Sequence, residues 1–236
     1  MHRENIPASL LETLRAVDTP TVCNAIEVAQ GKRGFNQFTK GTMFHCKPGM
    51  PAMVGRARTA RIAGLAPPME DAETIKARRL EYFRSMARGP GPTVAVVEDL
   101  DYPSCVAGWW GEVHVAVHKG LGLKGAVTNG VMRDLDVIDD GFPILSGSIG
   151  PSHGFVHVRE LGTPVTVMGM QVEEDDLIHA DRHGAIVIPE TVIPGLEAAI
   201  DNVIANEAII LGPARAPGFN IEKLEEAWAE FEARRT

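Results

Sequence analysis

The chain of 236 residues has few cysteines, an excess of acidic over basic residues and no long apolar run. Cys23, Cys46 and Cys105 are widely spaced and form no C-x-x-C pair, so we expect reduced thiols in a cytoplasmic protein. The formal net charge of −8 argues against a broad electrostatic contact with nucleic-acid phosphates. No stretch approaches the roughly 20 apolar residues that span a bilayer, and the N-terminus lacks the apolar core of a signal peptide. We therefore expect neither a nucleic-acid nor a membrane partner.

Two widespread motifs of phosphate binding and of hydrolysis are also missing. Neither G-x-x-x-x-G-K-[ST] nor G-x-S-x-G occurs, which removes the best-attested signs of a nucleotide-phosphate loop and of a serine hydrolase. The segment GLGLKG at 120–125 has the spacing G-x-G-x-x-G, but it precedes a predicted strand instead of opening a helix. A dinucleotide site is therefore not predicted there.

What is present is the apolar spacing of a mixed α/β protein, without a repeat or a linker-like composition. Helical spacing covers residues 9–29 (with a break at Thr19-Pro20), 69–88, 109–122 and the chain from 190 onward. Strands are predicted at 56–64, 93–100, 125–131 and 142–150, and three short strands between 163 and 190. TVAVVEDL and GAVTNGV are continuous apolar runs of the kind found in strands covered on both faces. We predict one α/β domain over residues 1–236, with helices at its N-terminus and a helical C-terminal extension.

The first stretch that indicates chemistry is GWWGEVHVAVH at 108–118. Gly111 leads into the predicted helix, so Glu112, Val113 and His114 would form its first turn. Backbone N–H groups in a first turn lack intrahelical acceptors and, with the helix dipole, favour an anion such as a carboxylate. The alternative is a helix that simply begins after a glycine, with a favourable acid in its first turn.

The second stretch is GAVTNGVMRDLD at 125–136. Asn129-Gly130 predicts a turn or a tight backbone approach after the strand. Arg133 offers a planar fork for a carboxylate or a developing enolate oxygen, and Asp134 is a hard oxygen ligand of the type that Mg²⁺ takes. The alternative is an ordinary surface ion pair, which contributes little to stability.

The histidines and tryptophans are less specific. His114 and His118 lie four residues apart on one predicted helix face, but the glutamate of a zinc-binding H-E-x-x-H helix is missing. We therefore do not predict zinc. Trp109, Trp110 and His153 could line the remainder of a substrate pocket.

The combined pattern resembles a known family. WGE, a following helix, G-L-x-G-x-V-x-N-G-x-x-R-D, a strand with P-I, and DLIHADRHGAIVIP occur in the order of the RraA-like family (RraA, regulator of ribonuclease E activity A). The resemblance covers most of residues 17–190, and the family includes the 4-hydroxy-4-methyl-2-oxoglutarate aldolases. It implies a layered β/β/α sandwich of the swivelling type, assembled as a homotrimer or homohexamer with sites where subunits meet.

The resemblance to the aldolase members also implies roles for individual residues. Asp134 would anchor a divalent metal, Mg²⁺ or Mn²⁺, partly through water, and Arg133 would contact the pyruvyl oxygen. Gly111, Val113 and His114 would bind the substrate carboxylate, with the N–H groups of Val113 and His114 as its donors.

Two acids complete the implied site. Glu112 stands where the characterised aldolases favour Asp, and it would help to position the base that removes the substrate's hydroxyl proton. Glu207 is a candidate for an acid contributed by a neighbouring subunit.

The function implied is that of a metal-dependent lyase that cleaves a 4-hydroxy-2-oxo acid to pyruvate, with oxaloacetate decarboxylation as a related activity. An aldolase-like enzyme for sugar acids would share the same pyruvate corner. The alternative from another class is a non-catalytic RraA-like regulator that binds a protein partner such as a ribonuclease.

Overall fold

The computed structural model describes residues 5–234, which form two compact units. The first unit contains residues 5–19 and 36–190, and the second contains residues 20–35 and 191–234. The interpretation of the whole chain as one domain stays a prediction. No helix in the described part of the chain combines the length and the apolar character needed to cross a membrane.

Residues 5–234 contain six α-helices and eleven strands. The helices are α1 (Ala8–Ala16), α2 (Thr19–Gln30), α3 (Ala72–Met86), α4 (Glu112–Gly120), α5 (Ile193–Arg215) and α6 (Ile221–Arg234), with short 3₁₀ turns at Leu135–Val137 and Glu190–Val192. The strands are β1 (Phe44–His45), β2 (Met53–Ala63), β3 (Thr93–Asp99), β4 (Gly108–Trp110), β5 (Ala126–Met132), β6 (Ile144–Ile149), β7 (His157–Leu161), β8 (Val165–Val167), β9 (Met170–Val172), β10 (Leu177–Asp181) and β11 (Gly184–Ile188).

The first unit is built on a nine-stranded sheet with the order β1-β6-β5-β3-β2-β10-β11, in which β4 also pairs with β5 and β7 with β2. The central strands β6, β5, β3 and β2 are parallel, whereas β1, β10 and β11 run antiparallel to their neighbours. Parallel strands require covering layers on both faces, which explains the uninterrupted apolar sequences of β3 and β5.

Alternate residues of β3 identify those layers. Val94 and Val96 join an apolar cluster with the separate hairpin β8–β9, while Ala95 and Val97 join a cluster with Tyr82 and Met86 of α3 and residues of α4. Since side chains alternate across a strand, the hairpin and the helices cover opposite faces. The expected mixed α/β fold with β/β/α layering is confirmed within this unit.

The Asn129-Gly130 pair does not form a turn, which corrects one alternative drawn from the sequence. Strand β5 continues through both residues to Met132, with a register shift against β6. The Asn129 amide accepts a hydrogen bond from Asp99 N (2.7 Å) and donates one to Asp99 O (3.1 Å). A Cβ at Gly130 would lie 3.1 Å from Asp99 Cβ, so the Gly130 backbone packs closely against the Asp99 side chain within the strand and not after it.

Other element predictions also need correction. Trp109 and Trp110 lie in β4 and not in the helix, because α4 begins at Glu112. Residues 163–190 contain four strands and not three, since Met168 and Gly169 adopt positive φ values (47° and 76°) and turn the chain between β8 and β9. Strand β7 was not predicted from the apolar pattern, which is weak there because only its first two residues are buried.

The second unit is helical and contains α2 after its first residue, α5 and α6. The predicted helical C-terminal region is confirmed through Arg234. Trp228 and Phe231 lie one turn apart on α6, with ring centroids separated by 5.7 Å.

Candidate functional site at the start of helix α4

Two adjacent parallel strands bring the WGE and R-D segments together. Strand β4 leads through Gly111 into α4, and β5 leads directly into Arg133 and Asp134. The backbone N–H of Arg133 donates a hydrogen bond to Trp110 O (2.8 Å), which holds the two chain segments side by side. The site therefore lies beyond the carboxyl ends of parallel strands, where open α/β sheets commonly bind ligands.

Two glycines of the first segment provide the space for this approach. A Cβ at Gly108 would come within 2.9 Å of Arg133 Cδ, and a Cβ at Gly111 would overlap Asp134 Oδ2. Both positions therefore need glycine for its absent side chain, since φ at Gly111 (−141°) is ordinary extended backbone.

The Asp134 carboxylate lies against the N-terminus of α4. Its Oδ2 accepts a hydrogen bond from Glu112 N (3.2 Å), and its Oδ1 accepts one from Arg133 Nη1 (3.2 Å). The helix dipole stabilises a negative charge at this position. Asp134 itself adopts the left-handed conformation (φ 58°, ψ 36°), which turns the chain immediately after Arg133.

The Arg133 guanidinium is only partly satisfied by this pairing. Its Nε atom is buried and has no hydrogen-bond partner among the described residues. Buried donors are normally paired, so an unpaired one marks a hydrogen-bonding group that the described residues do not satisfy. Arg133 is thus oriented by Asp134 and retains unused hydrogen-bonding capacity.

Arg133 lines an open cavity of about 400 Å³. The other walls come from α3, β4, the first turn of α4 and residues 153–157. Its ionisable lining residues are Arg79, His114, Arg133, His153 and His157; none of the described lining residues is acidic. The cavity is therefore suited to an anionic ligand.

His114 is the most perturbed ionisable group in this wall. Burial, the neighbouring His118, and the positive charges of Arg79 and Arg133 lower the pKa of His114 to about 3. Its ring packs against Trp109 (centroids 4.1 Å apart), and its buried Nδ1 has no hydrogen-bond partner among the described residues. At neutral pH His114 is therefore an uncharged imidazole beside the cavity.

His118 has a different role although it shares a helix face with His114. Its ring nitrogens contact His114 O (2.6 Å) and the Tyr82 hydroxyl (2.7 Å), and Tyr82 also accepts a hydrogen bond from Trp109 Nε1 (3.2 Å). The carbonyl contact requires a proton on Nδ1, so the hydroxyl donates to Nε2. Burial lowers the pKa of His118 to about 4, and this fully bonded network supports the cavity wall from behind.

Some of the remaining residues predicted at the site line the cavity, and others do not. Gly111, Val113, Trp109 and His153 line the cavity, whereas Trp110 is fully buried and does not. Glu112 contributes its backbone N–H to Asp134, but its side chain is not part of the cavity wall.

Glu207 lies on α5 in the second unit. It is exposed, and its Oε1 lies 3.5 Å from Asn24 Nδ2. Its assignment to a neighbouring subunit's site stays a prediction. Arg79, on α3, is a cavity residue that the sequence did not reveal.

The donor set at Asp134 fits a weakly held hard cation better than a cage of protein ligands. No group of three or more His, Cys, Asp or Glu side chains arranged for a metal occurs among residues 5–234. Mg²⁺ commonly uses one or two carboxylates together with water and substrate oxygens. Each Asp134 oxygen accepts one hydrogen bond and keeps a second lone pair, so a single-carboxylate site completed by water is compatible with this geometry.

The sequence that forms these elements matches a known protein family. A family model described as RraA-like, aldolase/RraA, matches residues 19–187, which is well over half of the chain. The chain belongs to the RraA-like family. The shared segment contains both β strands of the site, the start of α4 and the Arg133-Asp134 pair.

Solved structures confirm the fold of this RraA-like chain. A protein from Pseudomonas syringae pv. tomato is 22% identical with a TM-score of 0.70, over 98% of this chain and 97% of that one. The RraAS2 protein of Streptomyces coelicolor, described as an unusual member of the RNase ES inhibitor RraA family, is 22% identical with a TM-score of 0.65, over 92% and 100% of the two chains. At these identities the likeness establishes the fold alone.

A curated relative from Methanocaldococcus jannaschii, described as uncharacterized, is 27% identical over 125 residues. The match covers 52% of this chain and 59% of the relative, so the chain spans about three fifths of that protein's length.

Proposed function

We propose that this RraA-like protein is a divalent-metal-dependent carbon–carbon lyase that cleaves a 4-hydroxy-2-oxo acid and releases pyruvate. The observation that carries the proposal is the contact between Asp134, Arg133 and the first turn of α4 at the edge of an acid-free cavity. A carboxylate ligand, a partly unsatisfied guanidinium and free helical N–H groups are the groups required to hold a 2-oxo acid by its carboxylate and keto oxygens.

Each residue of the site would interact with a different part of the substrate or with the metal. The N–H groups of Val113 and His114 would bind the substrate carboxylate, because first-turn amides lack intrahelical acceptors. Arg133 would donate to the 2-keto oxygen, on which negative charge develops during cleavage, and Asp134 would keep the guanidinium in position. Asp134, with water, would hold Mg²⁺ or Mn²⁺, which supplies Lewis-acid polarisation of the keto group when bound.

Cleavage then needs a base and an electron sink. A base positioned near Glu112 takes the proton of the 4-hydroxyl, the O–H electrons form the new C4 carbonyl, and the C3–C4 bond breaks. Its electrons form the pyruvate enolate, whose oxygen is stabilised by Arg133, and protonation at C3 gives pyruvate. Loss of CO₂ from oxaloacetate produces the same enolate, so decarboxylation is an expected side activity.

A coupled assay of pyruvate release tests the proposal. The panel contains 4-hydroxy-2-oxo acids with different distal groups, among them a sugar-acid type substrate, together with oxaloacetate. We expect metal-dependent release from at least one of them, abolished by EDTA and restored by excess Mg²⁺ or Mn²⁺. The absence of pyruvate release from every substrate would refute the lyase.

Calorimetry separates the regulator from the enzyme. A lyase binds Mg²⁺ or Mn²⁺ and then oxalate, a planar analogue of the pyruvate enolate. Absence of both binding events, together with an inactive substrate panel, would favour a non-catalytic RraA-like regulator with a protein partner. Homotrimeric or homohexameric assembly, proposed with either function, is measured by light scattering of the same sample.

A further inference from the structure

We propose that Arg79, on α3, is a specificity-determining residue that binds a second anionic group at the end of the substrate remote from the pyruvyl carboxylate. Arg79 lines the same cavity as Arg133. It lies on α3, which precedes both the WGE and the R-D segments in the sequence. The inference deepens the proposed function, on which its catalytic arm rests; its binding arm does not require turnover.

The first argument is the pairing of the arginines around α3. Arg78 contacts Glu70 (2.9 Å) and Val158 O (3.2 Å), and Arg84 and Arg88 both contact Glu81 (3.4 and 2.7 Å). Arg79 is exposed, and no carboxylate within residues 5–234 forms an ion pair with it. It is thus the arginine of this helix that keeps its full charge and hydrogen-bonding capacity for a ligand.

The acidic residues near α3 are already paired with other arginines. Glu70 is already shared between Arg78 and Arg159, and Glu81 is shared between Arg84 and Arg88. The described cavity lining contains no acid either. The described cavity lining therefore carries positive charge that no lining acid offsets, which favours a second anionic group on the ligand in addition to the pyruvyl carboxylate.

The second argument is the position of His114. Arg79, Arg133 and His114 line the same cavity, and the positive charges of both arginines contribute to the lowered pKa of His114. Since His114 is neutral, it adds no third positive charge to this wall. Its buried Nδ1 has no hydrogen-bond partner among the described residues.

The binding arm of the test compares 2-oxoglutarate with 2-oxopentanoate, which share the 2-oxo acid end and differ in the distal carboxylate. With Mg²⁺ present, wild-type protein should bind 2-oxoglutarate at least about tenfold more tightly in calorimetry. Arg79→Ala should lose this preference and leave 2-oxopentanoate binding within about twofold of wild type. Arg79→Lys should keep part of the preference, since it keeps the charge without the planar fork.

Arg84→Ala is the matched control, because Arg84 is exposed on the same helix and does not line the cavity. It should leave both affinities unchanged. Equal losses for both ligands in Arg79→Ala, or a wild-type protein without preference for the second carboxylate, would overturn the proposal.

The catalytic arm compares 4-hydroxy-2-oxoglutarate with 4-hydroxy-2-oxopentanoate in the pyruvate assay. Arg79→Ala should lower kcat/KM about tenfold for the first substrate only. If neither substrate is turned over but the selective binding loss is observed, the lyase fails and the anion subsite stands. If both are turned over and Arg79→Ala affects them equally, the subsite fails and the lyase stands.

Discussion

In the first unit, the arginines of strand β2 and the arginines at the cavity differ in their hydrogen-bond and ion-pair partners. Arg58, in β2, is buried and is bonded to Asp175, Arg88 O (3.0 Å) and Ala57 O (3.0 Å), with Glu174 at 3.5 Å. Its neighbour on the strand, Arg56, is bonded to Glu190 and to Asp175 O (3.2 Å). At the cavity, Arg133 keeps a buried Nε without a partner, and Arg79 has no carboxylate partner among the residues described.

The histidines show the same contrast. His179 is fully buried in β10, and its two ring nitrogens contact Thr19 Oγ1 (3.1 Å) and Leu14 O (2.8 Å). His114, in the cavity wall, has a buried nitrogen without a described partner. A buried polar group whose bonds are all made within the chain supports the fold, whereas one with unused bonds beside a cavity is available for a ligand.

The largest expected effect concerns Arg133 and Asp134, the ion pair at the cavity. Arg133→Ala and Asp134→Asn should each lower kcat/KM for pyruvate release by about 10³-fold, because each removes a group that stabilises charge developing in cleavage. The unfolding free energy, measured by urea denaturation, should change by no more than about 1 kcal/mol for this partly exposed pair. Activity within tenfold of wild type in both variants would remove Arg133 and Asp134 from the proposed chemistry.

The next expected effect concerns Arg58, which is buried and bonded within the chain. Arg58→Ala should lower the unfolding free energy by about 2 kcal/mol, below the roughly 3–5 kcal/mol of a fully buried pair because Asp175 is about half exposed. The measurement is urea denaturation at pH 7, with Arg84→Ala as an exposed ion-pair control that should change stability by less than about 0.5 kcal/mol. Activity per folded molecule should stay at the wild-type level; a selective loss of activity without a loss of stability would contradict the contrast.

The last expected effect is a pH dependence of the unfolding free energy. The pKa of His114 is lowered to about 3 in the folded protein, from an ordinary value of 6.5, so the unfolded chain binds the proton more readily. Its contribution to stability is complete above pH 6.5 and is lost as the pH falls from 6.5 towards 3. The slope for one such group reaches about 1.4 kcal/mol per pH unit.

His114→Asn should therefore make the loss of unfolding free energy between pH 6.5 and pH 4.5 shallower than in wild type. Burial also lowers the pKa of His118 and His179, so the variant should retain part of the dependence. Denaturation curves at pH 7, 5.5 and 4.5 provide the comparison. Parallel pH profiles for the two proteins would show that His114 does not titrate as its burial requires.

Much of the fold could be read from the sequence because apolar spacing reports burial directly. The continuous apolar runs of β3 and β5 and the first turn of α4 at Gly111 were predicted from local pattern alone. Asn129-Gly130 misled because the Asn129 amide is satisfied by the backbone of Asp99, thirty residues away, and such a contact leaves no local signal.

The site was recoverable in part for the same reason. Arg133, Asp134 and the start of α4 lie in two short segments whose chemistry is visible in sequence, and the RraA-like pattern connects them. Arg79 was not recoverable, because it stands in a helix segment with several other bases and resembles an ordinary solvated arginine. Only the three-dimensional arrangement separates it from Arg78 and Arg84, whose partners are internal.

The left-handed backbone of Asp134 restricts which residues can occupy this position. Glycine, asparagine and aspartate adopt that conformation most readily, and aspartate alone among them carries a charge. Glutamate would keep the carboxylate but add conformational strain, and asparagine would keep the backbone but remove the charge. A mutational scan of position 134 thus separates two requirements: stability should follow backbone tolerance, with Asn and Gly accepted, while activity should admit Asp alone.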